Sequence, residues 1–120
     1  MKKEINRVVL VGYVANVPEV RVTKEGKRVG TLTVATHRKE ATDWHRLVAF
    51  DEEIIDGMER DIEKGTYVYA EGRLQTRKWQ DKHQQNHYMT EVVLEIFHPL
   101  KQEKQDVPQN MSLKEFLEEL

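Results

Sequence analysis

Apolar and polar residues alternate with a period of two over most of this chain, and the period changes once. From Asn6 to Ala15 the apolar positions are dense (Val8, Val9, Leu10, Val11, Tyr13, Val14), as in a strand covered on much of both faces. Gly12 in its middle predicts a bend or bulge. Pro18 closes this strand, and Glu19 to Thr23 resumes as a short one. Lys24-Glu25-Gly26-Lys27 reads as a hairpin turn, with glycine where a positive φ is needed. Arg28 to Thr36 follows as a strand, Val29, Thr31, Thr33 and Ala35 on one face and Leu32 and Val34 on the other. After a polar loop from His37 to Thr42, Asp43 to Phe50 is again a strand, with Trp44, Arg46, Val48 and Phe50 sharing a face.

Asp51 to Lys64 breaks the rhythm. Ile54, Ile55, Met58 and Ile62 have helical spacing, which predicts an amphipathic helix of about three turns. Asp51 suits its N-cap and Lys64-Gly65 its stop. Strands follow at Thr66 to Glu71 and Gly72 to Gln80, then a polar turn from Asp81 to Asn86. His87 to Phe97 is the last strand, Tyr88, Thr90, Val92, Leu94 and Ile96 alternating against Met89, Glu91, Val93 and Glu95. Five long strands, the first of them broken, with one helix between the third and fourth predict an all-β, five-stranded antiparallel barrel of the OB type. Residues 1–100 form that domain, 101–110 a polar linker containing Pro108, and 111–120 a separate segment.

One strand is unlike a core strand. In Gly72 to Gln80, Arg73, Gln75, Arg77 and Trp79 share one face, and Lys78 begins on the other. A large ring among cations suits a groove where phosphates meet Arg and Lys while bases stack on rings. The plainer reading is a surface indole with cation–π neighbours that steadies a hairpin. Charge does not decide at first sight, because the net charge is −2. Residues 1–100 hold 16 basic and 16 acidic side chains, whereas 101–120 hold 3 and 5. A binding face therefore needs local clustering, and Arg73, Arg77, Lys78 and Lys82 against the single Asp81 supply it.

Other chemistry finds no support. There is no cysteine, so disulfides and thiolate metal sites are excluded. The five histidines (37, 45, 83, 87, 98) lack ligand spacing, so neither a metal nor a cofactor is expected. No serine stands near a candidate His/Asp pair and no glycine loop is built for phosphate, so an enzyme is not expected. No apolar run approaches a membrane span, and Met-Lys-Lys-Glu-Ile-Asn has no signal-peptide core. A cytoplasmic protein is the expectation.

The residues also carry a likeness. Asn6-Arg7-Val8-Val9-Leu10-Val11-Gly12, Pro18-Glu19-Val20-Arg21, Thr42-Asp43-Trp44-His45-Arg46-Leu47-Val48-Ala49-Phe50, Val68-Tyr69-Ala70-Glu71-Gly72-Arg73-Leu74-Gln75-Thr76-Arg77-Lys78-Trp79 and Thr90-Glu91-Val92-Val93 occur in that order. Together they resemble the bacterial-type single-stranded DNA-binding protein family, along about residues 5–97. The resemblance implies an OB-fold homotetramer that coats single-stranded DNA in replication, recombination and repair. It also implies a nucleoid-associated protein of bacterial, phage or plasmid origin. Position by position it makes Trp44, Phe50 and Trp79 base-stacking rings, makes Arg21, Arg46, Arg77 and Lys78 backbone-contacting cations, and puts His45 near a subunit interface. The residue pattern adds Arg73 to the DNA-binding set.

Several positions keep a second reading. Phe50 could plug the core, Arg21 could pair with Glu19 on the surface, and Tyr69 could be core, interface or platform. Arg38-Lys39-Glu40-Ala41 is short and ringless where many relatives have a longer loop with a further aromatic. The last residues also depart from the family's Gly/Pro/Gln-rich linker and acidic tip. Ser112 with Glu115 makes a capping box, and Leu113, Phe116, Leu117 and Leu120 fall at helical spacing. An acidic amphipathic helix of this length needs a groove to order it. That groove is on a replication or repair partner, on the chain's own barrel, or on a neighbouring subunit; a frayed end is the simplest alternative. For the whole chain the rival to strand binding is an OB adaptor of primosome or recombination-mediator type, binding nucleic acid weakly.

Overall fold

The computed structural model describes residues 2–101. The expected C-terminal helix, with Leu113, Phe116, Leu117 and Leu120, lies outside the described residues, as does most of the linker. In chain order the elements are β1 (Val8–Val14), β2 (Glu19–Val22), β3 (Arg28–Arg38), β4 (Ala41–Ala49), α1 (Glu52–Asp61), β5 (Tyr67–Gln80) and β6 (Asn86–Pro99). They lie side by side as β1-β5-β6-β4-β3-β2, and a further β1–β3 pairing closes the sheet on itself. All pairings are antiparallel except β4 with β6, which is parallel. Both β1 and β2 pair with β3, so they are two pieces of one wall. The result is a five-walled OB barrel with its helix between the third and fourth walls.

The first wall breaks later than its glycine indicates. β1 runs through Gly12 without a slip in register against β5, and the interruption falls between Val14 and Glu19. Gly12 does different work. A Cβ there would lie 2.3 Å from the Ala35 carbonyl oxygen, because next to it β1, still paired with β5, also docks on β3. The missing side chain lets two backbones touch where the barrel closes.

Leu32 and Val34 of β3, Leu47 and Ala49 of β4, Val68 and Ala70 of β5, and Val92 and Leu94 of β6 meet inside. The helix plugs one end of this core with Ile55 and Met58, both fully buried. A ten-residue helix has little stability of its own. Burying each of these side chains contributes about 1.5–3 kcal/mol and holds it in place. Asp51 is the N-cap, its carboxylate accepting from the Glu53 and Ile54 amides at 2.9 and 3.1 Å. Arg28 on β3 latches the exposed helix face, donating to Glu52 at 2.8 Å and Glu59 at 2.6 Å and also binding Asp56.

Several expected boundaries shift. The strands around the polar loop run on to Arg38 and back from Ala41, leaving a two-residue turn at 39–40. The Arg38–Asp43 ion pair (3.0 Å) and the His37–Thr42 hydrogen bond (2.9 Å) lock that hairpin. The two strands expected from Thr66 to Gln80 are one strand, irregular at Glu71/Gly72. There the pairing jumps from Ile96 to Leu94, and β6 exchanges faces: Phe97 packs against the core while Ile96 is exposed. The single face expected through Ile96 therefore ends at Leu94. Gly72 is required at this jog, since a Cβ would meet the Val93 carbonyl oxygen at 1.9 Å.

Candidate nucleic-acid interface

β5 and β6 are 14 residues each, twice the length of β1, so their far halves overhang the barrel as a two-stranded ribbon. Beyond Leu74 the side of β5 that faced the core carries Thr76, Lys78 and Gln80, since no core remains there to cover. The opposite side carries Arg73, Gln75, Arg77 and Trp79, paired across the ribbon with Val93, Glu91, Met89 and His87. This side is continuous with the outer face of β4.

The joint between them is a buried carboxylate. Glu91 is 3% exposed. It accepts from Arg46 Nε through Oε2 and from Arg77 Nε through Oε1, both at 3.1 Å. Strand alternation then fixes the rings. Trp44 precedes Arg46 by two residues on β4 and Trp79 follows Arg77 by two on β5, so both indoles share the face that Glu91 ties together. Trp44 is 66% exposed and Trp79 43%. Beside the indoles on this face an open groove is lined by Arg21 of β2, Val29 and Thr31 of β3, Arg46 and Val48 of β4, Gln75 and Arg77 of β5, Glu91 of β6, and Phe50 just past β4. Thr31 and Val48 of this lining are buried.

Of the residues singled out from sequence, Trp44, Phe50, Trp79, Arg21, Arg46, Arg73 and Arg77 come together on this face. Phe50 is half exposed on the groove wall, not a core plug. Arg21 has Glu19 at 3.9 Å, a loose surface contact. Lys78 stands apart, on the reverse side of the ribbon opposite Tyr88. His45 is half buried, with Nε2 and Thr36 Oγ1 2.8 Å apart, towards the β3–β4 hairpin. Tyr69 lies where β5 pairs with β1, stacked on His98 at 5.3 Å and donating to Glu71 at 3.0 Å. Glu71 also accepts from Arg7 at 2.6 Å. That bond first, and then the one from Tyr69, hold its carboxyl below the usual carboxylate range.

Three neighbours of the groove and its ribbon were not singled out from sequence. His87 lies flat against Trp79, ring centroids 4.5 Å apart and planes 19° apart, with Nε2 2.7 Å from Asp81 Oδ2. The Asp81 carboxyl is held below its ordinary value, by His87 first and then by the Gln85 and His83 amides. Tyr88 is 68% exposed on the reverse side of the ribbon, where alternation alone reads as a continued core face. The polar run Thr76, Lys78, Gln80 on its partner strand is the signal that the core has ended. Glu91 is the third, and only pairing with β4 and β5 together reveals why an acid is buried there.

Among the described residues no group of His, Cys, Asp and Glu is arranged to hold a metal ion. No helix among them is long and apolar enough to cross a membrane.

Comparison with known proteins gives one answer. Residues 5–100 match the model of the single-strand binding protein family. A single-stranded DNA-binding protein from Rickettsia felis is 45% identical over 107 residues, covering 81% of this chain and 70% of that one. A protein of the same name from Rhizobium meliloti is 40% identical over 107 residues, covering 81% of this chain and 62% of that one. Among solved structures, a Plasmodium falciparum SSB in complex with ssDNA superposes with a TM-score of 0.75 at 30% identity, covering 84% of this chain and 99% of that one. The yeast mitochondrial protein Rim1 shares the fold, with a TM-score of 0.69 at 17% identity over 82% of this chain and 98% of that one. With its barrel, its ringed and cationic outer face and these matches, the chain belongs to the single-strand binding protein family.

Proposed function

We propose that this protein binds single-stranded DNA without sequence preference, shielding it in replication, recombination and repair, and does no catalysis. Bases stack on Trp44, Phe50 and Trp79; Arg21, Arg46, Arg73 and Arg77 neutralise phosphates, and Lys78 does so from the reverse of the ribbon. The observation that carries this reading is that both indoles stay open to solvent on one face, which they share with the Arg46–Glu91–Arg77 triad. A fold that used this face only as a wall would cover such rings, because each exposed indole forfeits the burial that stabilises a core. Stacking is worth about 1–3 kcal/mol per base and is indifferent to sequence, since every base has a π-face.

Titration with oligo-dT at low salt tests it. Tryptophan emission falls steeply to a stoichiometric end point, and affinity falls with added salt by ~0.7 in log–log slope for each phosphate neutralised. Unchanged emission at low salt would favour the adaptor reading. Competition between matched DNA and RNA oligonucleotides tests the preference for DNA.

The functional unit we propose is a homo-oligomer, a tetramer by family likeness, with His45 near a subunit contact. Support comes from the outer side of β1, β5 and β6, where Val9 pairs with Glu71 and Glu71 with Ile96, leaving both apolar side chains exposed. Light scattering that returns a monomer mass would overturn this. Residues 111–120 are proposed to recruit replication or repair proteins through Leu113, Phe116, Leu117 and Leu120; a chain truncated after Asn110 should keep its DNA affinity and lose partner capture. The bacterial relatives are consistent with a bacterial-type role in the cytoplasm, at the nucleoid.

A further inference from the structure

Among the described residues that line the groove, Glu91 is the only acid. A carboxylate at 3% exposure in the middle of a surface meant for phosphates is at first sight misplaced. β6 runs between β4 and β5, so Glu91 has Arg46 on one side and Arg77 on the other. Each oxygen takes one guanidinium, and each guanidinium is held through Nε. Neither contact is the two-pronged fork that arginine makes with a carboxylate. The paired Nη atoms, the edge best matched to a phosphate, are therefore not spent on Glu91. Among the described residues Arg77 Nη2 has only the weak Met89 Sδ acceptor, at 3.7 Å.

We infer that Glu91 is a built-in counterion of the strand-binding face: it fixes Arg46 and Arg77 by Nε with their outer edges forward, and holds their combined charge at one. The inference rests on the strand-binding reading above. Two guanidiniums flanking one strand with nothing between them would repel and spread into solvent. With Glu91 between them both stay in the groove, and the strand meets one net cation where it would otherwise meet two. Glu91 is a positioning residue, because it reaches the DNA through the arginines. Its effect is to keep binding weaker at low salt, and less steeply salt-dependent, than the groove's count of arginines would give.

The test is the salt dependence of oligo-dT binding by the full chain, with melting curves to establish folding. In Glu91→Gln the amide has one carbonyl oxygen and cannot hold both guanidiniums, so the net charge of the triad rises by one. The log–log slope steepens by ~0.7, and roughly 2.5-fold more affinity is lost between 50 and 200 mM salt than in the parent. Arg77→Gln makes the slope shallower by ~0.7. The double variant Arg77→Gln/Glu91→Gln, which again has one net charge, returns to the parental slope. If Glu91→Gln fails to fold, the double variant against Arg77→Gln carries the test. A double variant as shallow as Arg77→Gln, or a Glu91→Gln slope equal to or below the parent's, overturns the counterion role. Failure of the parent chain to bind oligo-dT at any salt would instead overturn the strand-binding reading.

Discussion

Removing the His87 ring should weaken DNA binding although His87 is not proposed to touch DNA. The indole of Trp79 lies against the imidazole at 4.5 Å, and the imidazole is pinned in turn by Asp81 at 2.7 Å. Asp81 is itself fixed, since its Oδ1 accepts from the His83 and Gln85 amides at 2.8 and 3.0 Å. Trp79 thus keeps 43% of its surface exposed with one face backed by the imidazole, and its side chain is ordered before a base arrives. Immobilising such a side chain on binding otherwise costs about 0.5–1.5 kcal/mol. His87→Ala should therefore weaken oligo-dT binding by about 2- to 12-fold, whereas Trp79→Ala, which deletes the stacking itself, should cost about 5- to 150-fold. The discriminating measurement is the double variant. If His87 acts only through the indole, His87→Ala has no further effect in the Trp79→Ala background, and the coupling equals the whole His87 effect. Equal losses from His87→Ala in both backgrounds would refute this reasoning and make the imidazole a direct contact.

Three other expectations test the barrel and the edge of the site. Gly12→Ala drives a Cβ against the Ala35 carbonyl and should lower stability by about 1–3 kcal/mol, or about 4–20 °C in Tm. Gly57→Ala, in α1 with nothing within 4 Å, should raise stability by about 0.5–1 kcal/mol, so thermal melts of the pair move in opposite directions. Lys78→Ala should reduce affinity for short oligo-dT less than Arg77→Ala does, because Lys78 stands on the reverse of the ribbon; equal losses would mean that the strand crosses the ribbon even when short. Burial pushes the Tyr67 phenol up to about 12. The folded state then holds that proton more tightly than the unfolded chain, so this contribution is complete below pH 10 and lost as pH rises from about 10 to about 12. Melting curves across that range, alongside an ultraviolet phenolate titration, check it; ionisation of Tyr67 near pH 10 in the folded protein would contradict it.

The parts of the fold legible in the sequence were those set by local period and local capping. Alternation found every wall of the barrel, and the spacing of Ile54, Ile55, Met58 and Ile62 with Asp51 before them found the helix and its cap. What local pattern could not give was where each strand acquires or loses a partner. Gly12 read as a break because a glycine inside a strand usually marks one, whereas its role depends on the approach of Ala35 from 23 positions away. Ile96 and Phe97 exchanged faces for the same reason, since the jog belongs to the pairing with Gly72. Trp44, Trp79 and the arginines were legible because a large ring among cations contradicts a core face within a single strand. Tyr88 and Glu91 were not, because one needs the length of the overhang and the other needs two neighbouring strands.

The ion pairs also resolve the apparent conflict between a near-neutral domain and an anionic partner. Glu52, Asp56 and Glu59 are gathered around Arg28 on the helix side, Asp43 faces Arg38 at the β3–β4 hairpin, and Glu71 is taken by Arg7 on the β1 wall. The groove lining keeps Arg21, Arg46 and Arg77 with the single carboxylate of Glu91. Equal totals of 16 basic and 16 acidic residues over positions 1–100 thus divide into an acid-rich helix side and a positive track. A single strand responds to the charge within about a Debye length, some 8 Å at physiological salt, and not to the sum over the chain. Charge-reversing substitutions on α1 should therefore leave oligo-dT affinity nearly unchanged at that salt, while one lost arginine in the groove is felt at once. A large gain from Glu53→Lys, on the exposed helix and outside the Arg28 cluster, would show that the long-range field governs binding.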